Sequence, residues 1–305
     1  MPSPKLLSPL RYPGSKAKLA GQIEMIAKLN SLSGCTLIEP FAGGASVSLH
    51  MLASNTAERI VLFERDPLVY AFWYCVLFLT DDLVELIEKT DISLTTWKKL
   101  DALRDVRSPE GHNLLELGFA GLFFNRTNFS GILQAGPIGG MSQTSQYPIN
   151  CRFNKEKIIE QITKINKQKE KIDIIFGDAI ELTKKYSLET ASKETLFFFD
   201  PPYFHQGNRL YRYYFEEKCH KNLARLLKST NINWILTYDN QEYIKGLYSG
   251  TNVQTVNLEY SAKKSRIECE LLISPWYLNV PNQNQDEVND SEIDFISQNS
   301  FCFAK

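Results

Sequence analysis

Short apolar runs that break off at once into polar or glycine turns constrain this chain most. Thr36–Phe41 closes on Phe41-Ala42-Gly43-Gly44, and a helix opens near Ser46. Arg59–Phe63 closes on Glu64-Arg65-Asp66-Pro67, with helices at about 68–79 and 81–89 behind it. Strand, helix, strand, helix within about 55 residues is the pattern of a parallel α/β sheet. An amphipathic helix, Leu19–Leu29, precedes the first strand. The rhythm resumes with a helix at 155–169, then strands Ile172–Phe176 and Thr195–Phe199. Helix Lys218–Ser229, strand Trp234–Thr237 and helix Gln241–Leu247 follow, and Val253–Leu258 with Glu268–Ser274 reads as a closing antiparallel pair. Residues 91–155 interrupt the series with helical stretches Ser93–Leu103 and Leu114–Phe124 and a polar, glycine-rich run, Asn125–Asn154. An irregular stretch that long is usually functional.

A chain of 305 residues with 43% apolar content buries a large core without disulfide or metal staples. Its net charge of −1 speaks against a polyanion-binding protein until the distribution is examined. Residues 281–305 carry −4, residues 1–280 carry +3, and residues 121–171 alone carry +5. None of the six cysteines forms a CxxC pair, so neither a disulfide framework nor a metal site is expected. That cysteine usage fits a reducing cytoplasm. The most apolar run, Pro67–Leu79, is too short to span a bilayer and reads as a buried helix.

Asp200-Pro201-Pro202-Tyr203, directly after Leu196-Phe197-Phe198-Phe199, is the strongest chemical signal. The carboxyl ends of parallel strands face the ligand crevice. Two prolines fix the backbone and leave only carbonyl acceptors. The tetrapeptide therefore presents a carboxylate, rigid acceptors and an aromatic face, a set suited to a planar base with an exocyclic amine. Three other strand ends carry ligand-type groups. Glu39-Pro40-Phe41-Ala42-Gly43 offers a turn that a ligand can approach closely, although no GxGxxG fingerprint of a dinucleotide site is present. Glu64 lies 21 residues after Gly43, where an acid suits ribose hydroxyls, and Asp178 suits an adenine amine. Near the start, Arg11-Tyr12-Pro13-Gly14-Ser15-Lys16 places a lysine after a glycine turn, able to pair with a carboxylate or phosphate. Asn125, Arg126, Asn128, Gly131 and Arg152 interleave basic and amide groups with aromatics, as phosphate contacts and base-edge readout require.

Taken together, these stretches resemble the Dam-like (alpha-group) family of DNA N6-adenine methyltransferases, from about Leu7 to Pro275. The resemblance implies a Rossmann-like α/β catalytic sheet using S-adenosylmethionine, formed by residues 1–89 and 155–280. It implies a small helical target-recognition insertion at 90–154, and the acidic polar tail is set at 281–305. Asp200, Pro201, Pro202 and Tyr203 match the catalytic loop. Tyr12, Gly14, Lys16, Glu39, Pro40, Phe41, Ala42, Gly43, Glu64, Asp178 and Asp200 match the cofactor site. Asn125, Arg126 and Gly131 resemble the NR…G stretch near DNA, to which Asn128 and Arg152 are added. The implied partner is double-stranded DNA, with a separately acting restriction endonuclease where the enzyme belongs to a restriction–modification pair. A monomer suffices for one base per turnover.

The sequence departs from the family at Ala45, where FxGxG would end in glycine, and Asn125–Asn154 is unlike the stretch of GATC-specific members. The residues alone also leave open an RNA or protein-glutamine substrate and a catalytically silent DNA-binding protein.

Overall fold

The computed structural model describes residues 5–12, 14–189, 194–204, 212–262 and 264–281. Pro13 and most of the acidic tail, residues 282–305, lie outside the described residues. The chain runs α1 (Ala20–Leu29), β1 (Cys35–Glu39), α2 (Ser46–Ala53), β2 (Ala57–Glu64), α3 (Pro67–Phe78), α4 (Thr80–Lys89), α5 (Leu94–Leu100), α6 (Leu114–Thr127), α7 (Lys155–Asn166), β3 (Ile172–Phe176) and α8 (Ala179–Glu189). It continues with β4 (Thr195–Phe199), α9 (Glu217–Ser229), β5 (Asn233–Asp239), α10 (Glu242–Leu247), β6 (Asn252–Ala262) and β7 (Lys264–Ser274).

The strands form one sheet in the order β3-β2-β1-β4-β5-β7-β6. The first five are mutually parallel, whereas β7 runs antiparallel to both β5 and β6. Alternation with a period of two builds a core on each face. Leu37, Ile60, Leu62, Leu196, Phe198, Ile235 and Leu272 meet the helices from α1 to α4 with α6 and α7. Ile38, Val61, Phe63, Phe197, Phe199, Leu236 and Leu271 meet α8, α9 and α10. This is the Rossmann-like sheet expected from the sequence. The strand order reverses between β1 and β4, so the ligand crevice opens at their carboxyl ends.

The stretch 90–154 builds onto the sheet's own core rather than around a second one. Leu117, Phe119, Phe123, Phe124, Ile149 and Phe153 belong to the same apolar cluster as α1 and α3. Gly118 and Gly121 let α6 lie backbone to backbone on α3: a Cβ there would stand 2.6 Å from the Ala71 carbonyl and 2.4 Å from that of Leu68. Gly121→Ala is therefore expected to cost about 1–3 kcal/mol, read as a lower urea midpoint with unchanged slope. Among the described residues no single helix is long and apolar enough to cross a membrane. The α3–α4 pair reaches that length only across a 111° bend.

Candidate active site

A cleft of about 900 Å³, counting the open solvent at its mouth, lies at the strand ends where the order reverses. Every residue expected at the cofactor site lines it: Tyr12, Gly14 and Lys16 from the N-terminal turn, Glu39 to Gly43 after β1, Glu64, Asp178 and Asp200. Pro202 also lines it, while Pro201 is buried behind and Tyr203 stands just beyond.

Local chemistry explains the turn after β1. Gly43 has φ +44°, and a Cβ there would collide with the Tyr12 ring at 2.7 Å, so the aromatic face lies directly on the glycine. Gly43 N–H donates to Glu64 Oε2 at 3.0 Å, and its carbonyl accepts from Trp73 Nε1 at 2.9 Å. Ala45, where the family pattern has glycine, takes the left-handed conformation glycine favours, φ 49° and ψ 32°, just ahead of α2. The substitution is absorbed by backbone strain at that one residue rather than by a different turn.

Two acids in the cleft are buried and held by hydrogen bonds. Glu39 Oε2 accepts from the Ser48 amide at 3.3 Å and the Ser48 hydroxyl at 2.5 Å. Burial, with Asp200 and Glu64 nearby, pushes its pKa up to about 8. Glu64 Oε1 accepts from the amides of Arg65 and Asp66, both at 2.8 Å. Burial raises its pKa to about 7. With two bonds on Oε1 and one on Oε2, a lone pair on Oε2 is left for a ligand hydroxyl. Asp178 caps α8 through Oδ1, at 3.0 Å from Ile180 N–H, and pairs with Arg65 through Oδ2 at 2.9 Å.

Asp200 sits where β4 ends, its side chain 18% exposed. Oδ1 accepts from the Thr237 hydroxyl at 2.7 Å, and Oδ2 lies 3.2 Å from Lys16 Nζ. Burial outweighs both and holds the carboxyl above the ordinary aspartate range. Lys16 is buried, donates to the Gly14 carbonyl at 2.5 Å and stands 4.8 Å above the centre of the Tyr203 ring. The carboxylate, the ammonium and the aromatic face of the expected catalytic loop thus form one unit.

The residues expected at the DNA separate into two groups. Asn125 and Asn128 are buried, and a direct contact with a polymer is corrected for both. Asn125 Oδ1 accepts from the Arg11 amide at 2.6 Å, while Nδ2 donates to the carbonyls of Arg11 and Gly131. Asn128 accepts from Trp97 Nε1 at 2.6 Å and donates to the Leu133 carbonyl at 2.9 Å. Gly131, buried at φ +76°, lets the Arg11 carbonyl approach to 2.1 Å from where a Cβ would stand. Asn125 and Gly131 hold the backbone next to Tyr12 in place, while Asn128 ties the segment after α6 to Trp97. Arg126 is partly exposed and donates to the Pro9 carbonyl at 2.6 Å; burial and the nearby Arg11 lower its pKa to about 10. Arg152 is exposed, and its charge is felt by Arg11.

Sequence reasoning passed over Thr237, Trp73 and Arg212. Arg212 Nε lies 3.6 Å from Asp66, and its Nη1 donates to the Val106 carbonyl at 2.7 Å, tying the segment after the catalytic loop to both the cleft and the 90–154 stretch. Thr237 reaches Asp200 through strand pairing: Phe199 pairs with Leu236, so the next residues, Asp200 and Thr237, stand side by side.

A model of the D12 class N6 adenine-specific DNA methyltransferase family matches residues 12–262. The chain belongs to that family. It is thus an adenine-specific DNA methyltransferase by family, the first of the readings drawn from its sequence. No curated protein matches it significantly. Among solved structures, the candidate RNA methyltransferase PH1948 from Pyrococcus horikoshii is 11% identical, with 87% of this chain and 85% of that one covered, at TM-score 0.40. The candidate methyltransferase yhhF from Escherichia coli is 12% identical, with coverage of 86% and 89% and TM-score 0.32. The precorrin-6y C5,15-methyltransferase from Geobacter metallireducens GS-15 is 14% identical, with 84% and 86% covered and TM-score 0.33.

Proposed function

We propose that this methyltransferase binds S-adenosylmethionine in the cleft and methylates the N6 amine of an adenine flipped out of duplex DNA, with Asp200 as the acceptor. The carrying observation is Asp200, clamped between Lys16 and Thr237 at the end of an acidic cleft. The residues present fit the cofactor. Glu39 and Glu64 offer negative charge to a ligand with a sulfonium and an ammonium group, and Glu64 Oε2 suits a ribose hydroxyl. Asp178 suits the cofactor's adenine amine.

When bound, S-adenosylmethionine supplies an electrophilic methyl group on sulfur. The amine is inaccessible inside the helix, so the base must leave the stack. Asp200 Oδ2 and the Pro201 carbonyl then accept its two hydrogens, raising electron density on nitrogen, while Tyr203 stacks on the ring. Asp200 would take up the surplus amine proton once the nitrogen is methylated and pass it on to water. One flipped base engages one copy of the chain, so the acting unit is a monomer in the cytoplasm, and any cognate endonuclease acts on its own.

Calorimetry tests the cofactor reading. A cation beside Glu39 and Glu64 favours their ionised forms, which dominate only above about pH 7 to 8. Affinity for S-adenosylmethionine is therefore expected to rise as pH increases from 6 to 8, with protons released on binding. S-adenosylhomocysteine, which lacks the sulfonium charge, should show a weaker trend. A flat profile for both ligands contradicts this placement. At the DNA, Arg126→Ala and Arg152→Ala should each reduce the slope of log K against log salt by about 0.9, measured by anisotropy on a labelled duplex, with cofactor binding unchanged.

A further inference from the structure

Lys16 does not face Asp200 alone. Its ammonium also lies 3.8 Å from Oε2 of Glu270, a buried carboxylate on β7. Glu270 is in register with Asp239 of β5, two residues beyond the Thr237 that binds Asp200. A single ammonium therefore serves two carboxylates, the Gly14 carbonyl and the Tyr203 ring. This matters because a hydrogen bond accepted from a full cation drains an acceptor. An Asp200 wholly engaged by Lys16 would be a poor acceptor for a neutral amine. A second carboxylate draws the ammonium back and shares its charge.

We propose that Glu270 is a positioning residue for methyl transfer: it shares the Lys16 ammonium with Asp200, which keeps Asp200 a strong acceptor and seats the ammonium over Tyr203. The proposal rests on the reading of Asp200 given above. It is distinct from charge neutralisation at the cofactor, because Glu270 does not line the cleft.

The consequence is readable in pH. Among the described residues, the titratable and charged groups around Asp200 are Lys16, Glu39 from β1, Tyr238 from β5 and, through Lys16, Glu270 from β7. Removing the Glu270 charge gives Lys16 wholly to Asp200, which stabilises the ionised form and lowers its pKa. Glu270→Gln, measured with full-length enzyme, labelled S-adenosylmethionine and unmethylated plasmid, is expected to lower kcat about 10- to 100-fold. Cofactor affinity should stay within about twofold, and the acid limb of kcat should move to lower pH. Glu270→Asp should shift both in the same direction by less and keeps the test open if the glutamine variant does not fold. Thr237→Val, which removes a hydrogen bond from Asp200 and leaves Ser48 on Glu39, should move the same limb to higher pH and so identifies it.

An unchanged kcat in Glu270→Gln overturns the proposal, and so does a lower kcat with an unmoved acid limb, which marks a structural role. Asp200→Ala run alongside separates the two levels. If that variant stays active, the reading of Asp200 has failed; if it is inactive while Glu270→Gln is normal, only the role of Glu270 has.

Discussion

Asp200→Ala is expected to lower methyl transfer by about 10³-fold or more, while S-adenosylmethionine binding remains measurable. The carboxylate contributes to the cleft at one end only, so most cofactor contacts survive its loss. What disappears is the acceptor that Thr237 and Lys16 hold in place, at 2.7 and 3.2 Å. Preorganisation matters more than proximity here, because both partners are fixed before the base arrives. The wild-type profile carries the same signature. A carboxyl raised by burial works only when ionised, so kcat should fall with decreasing pH along a limb lying above the ordinary aspartate range. Single-turnover rates on plasmid DNA measure both effects. Near-normal turnover in the alanine variant means that Asp200 is not the acceptor.

Lys16→Met should produce the second large effect, and it should be seen in stability as well as rate. Lys16 is 4% exposed and stands between Asp200 and Glu270. Removing one partner of a buried ion pair typically costs about 3–5 kcal/mol, because the other charge is left without compensation. In the variant, Asp200 and Glu270 remain buried without their cation, and protonation is their remaining escape. The deficit should therefore be large at pH 8 and shrink towards pH 5, where protons replace the ammonium. Turnover at neutral pH should fall by about 10²–10³ as the acid limb moves upward. Equal stability of variant and wild type at pH 8 in a urea titration contradicts this picture of the site.

Much of this arrangement was legible in the sequence because chemistry and periodicity coincide at strand ends. Ile172–Phe176 and Thr195–Phe199 are apolar runs bounded by turns, and their limits match the observed β3 and β4. Each strand end then presents its ligand-type group to the same crevice. Helix α8 was missed, since its polar surface carries a weak apolar stripe between two conspicuous strands. The amides were misjudged for a related reason. Asn125 and Asn128 look like surface groups beside basic residues, yet folding turns them inward to satisfy the Arg11 backbone 114 residues away and the Trp97 indole 31 residues away. Glu270 was hidden within a run that reads as plain strand, and its importance depends on β7 lying next to β5. Contacts of this kind arise from strand order, which local patterning does not encode.

The central claim is that this chain methylates adenine in DNA from S-adenosylmethionine, using Asp200. The most direct measurement incubates the purified protein and its Asp200→Ala variant with S-adenosylmethionine and unmethylated plasmid, then reads modified bases by long-read sequencing. N6-methyladenine within one short motif for the wild type, and none for the variant, is the result this account predicts. Plasmid left unmodified by a wild-type protein that binds the cofactor would contradict it.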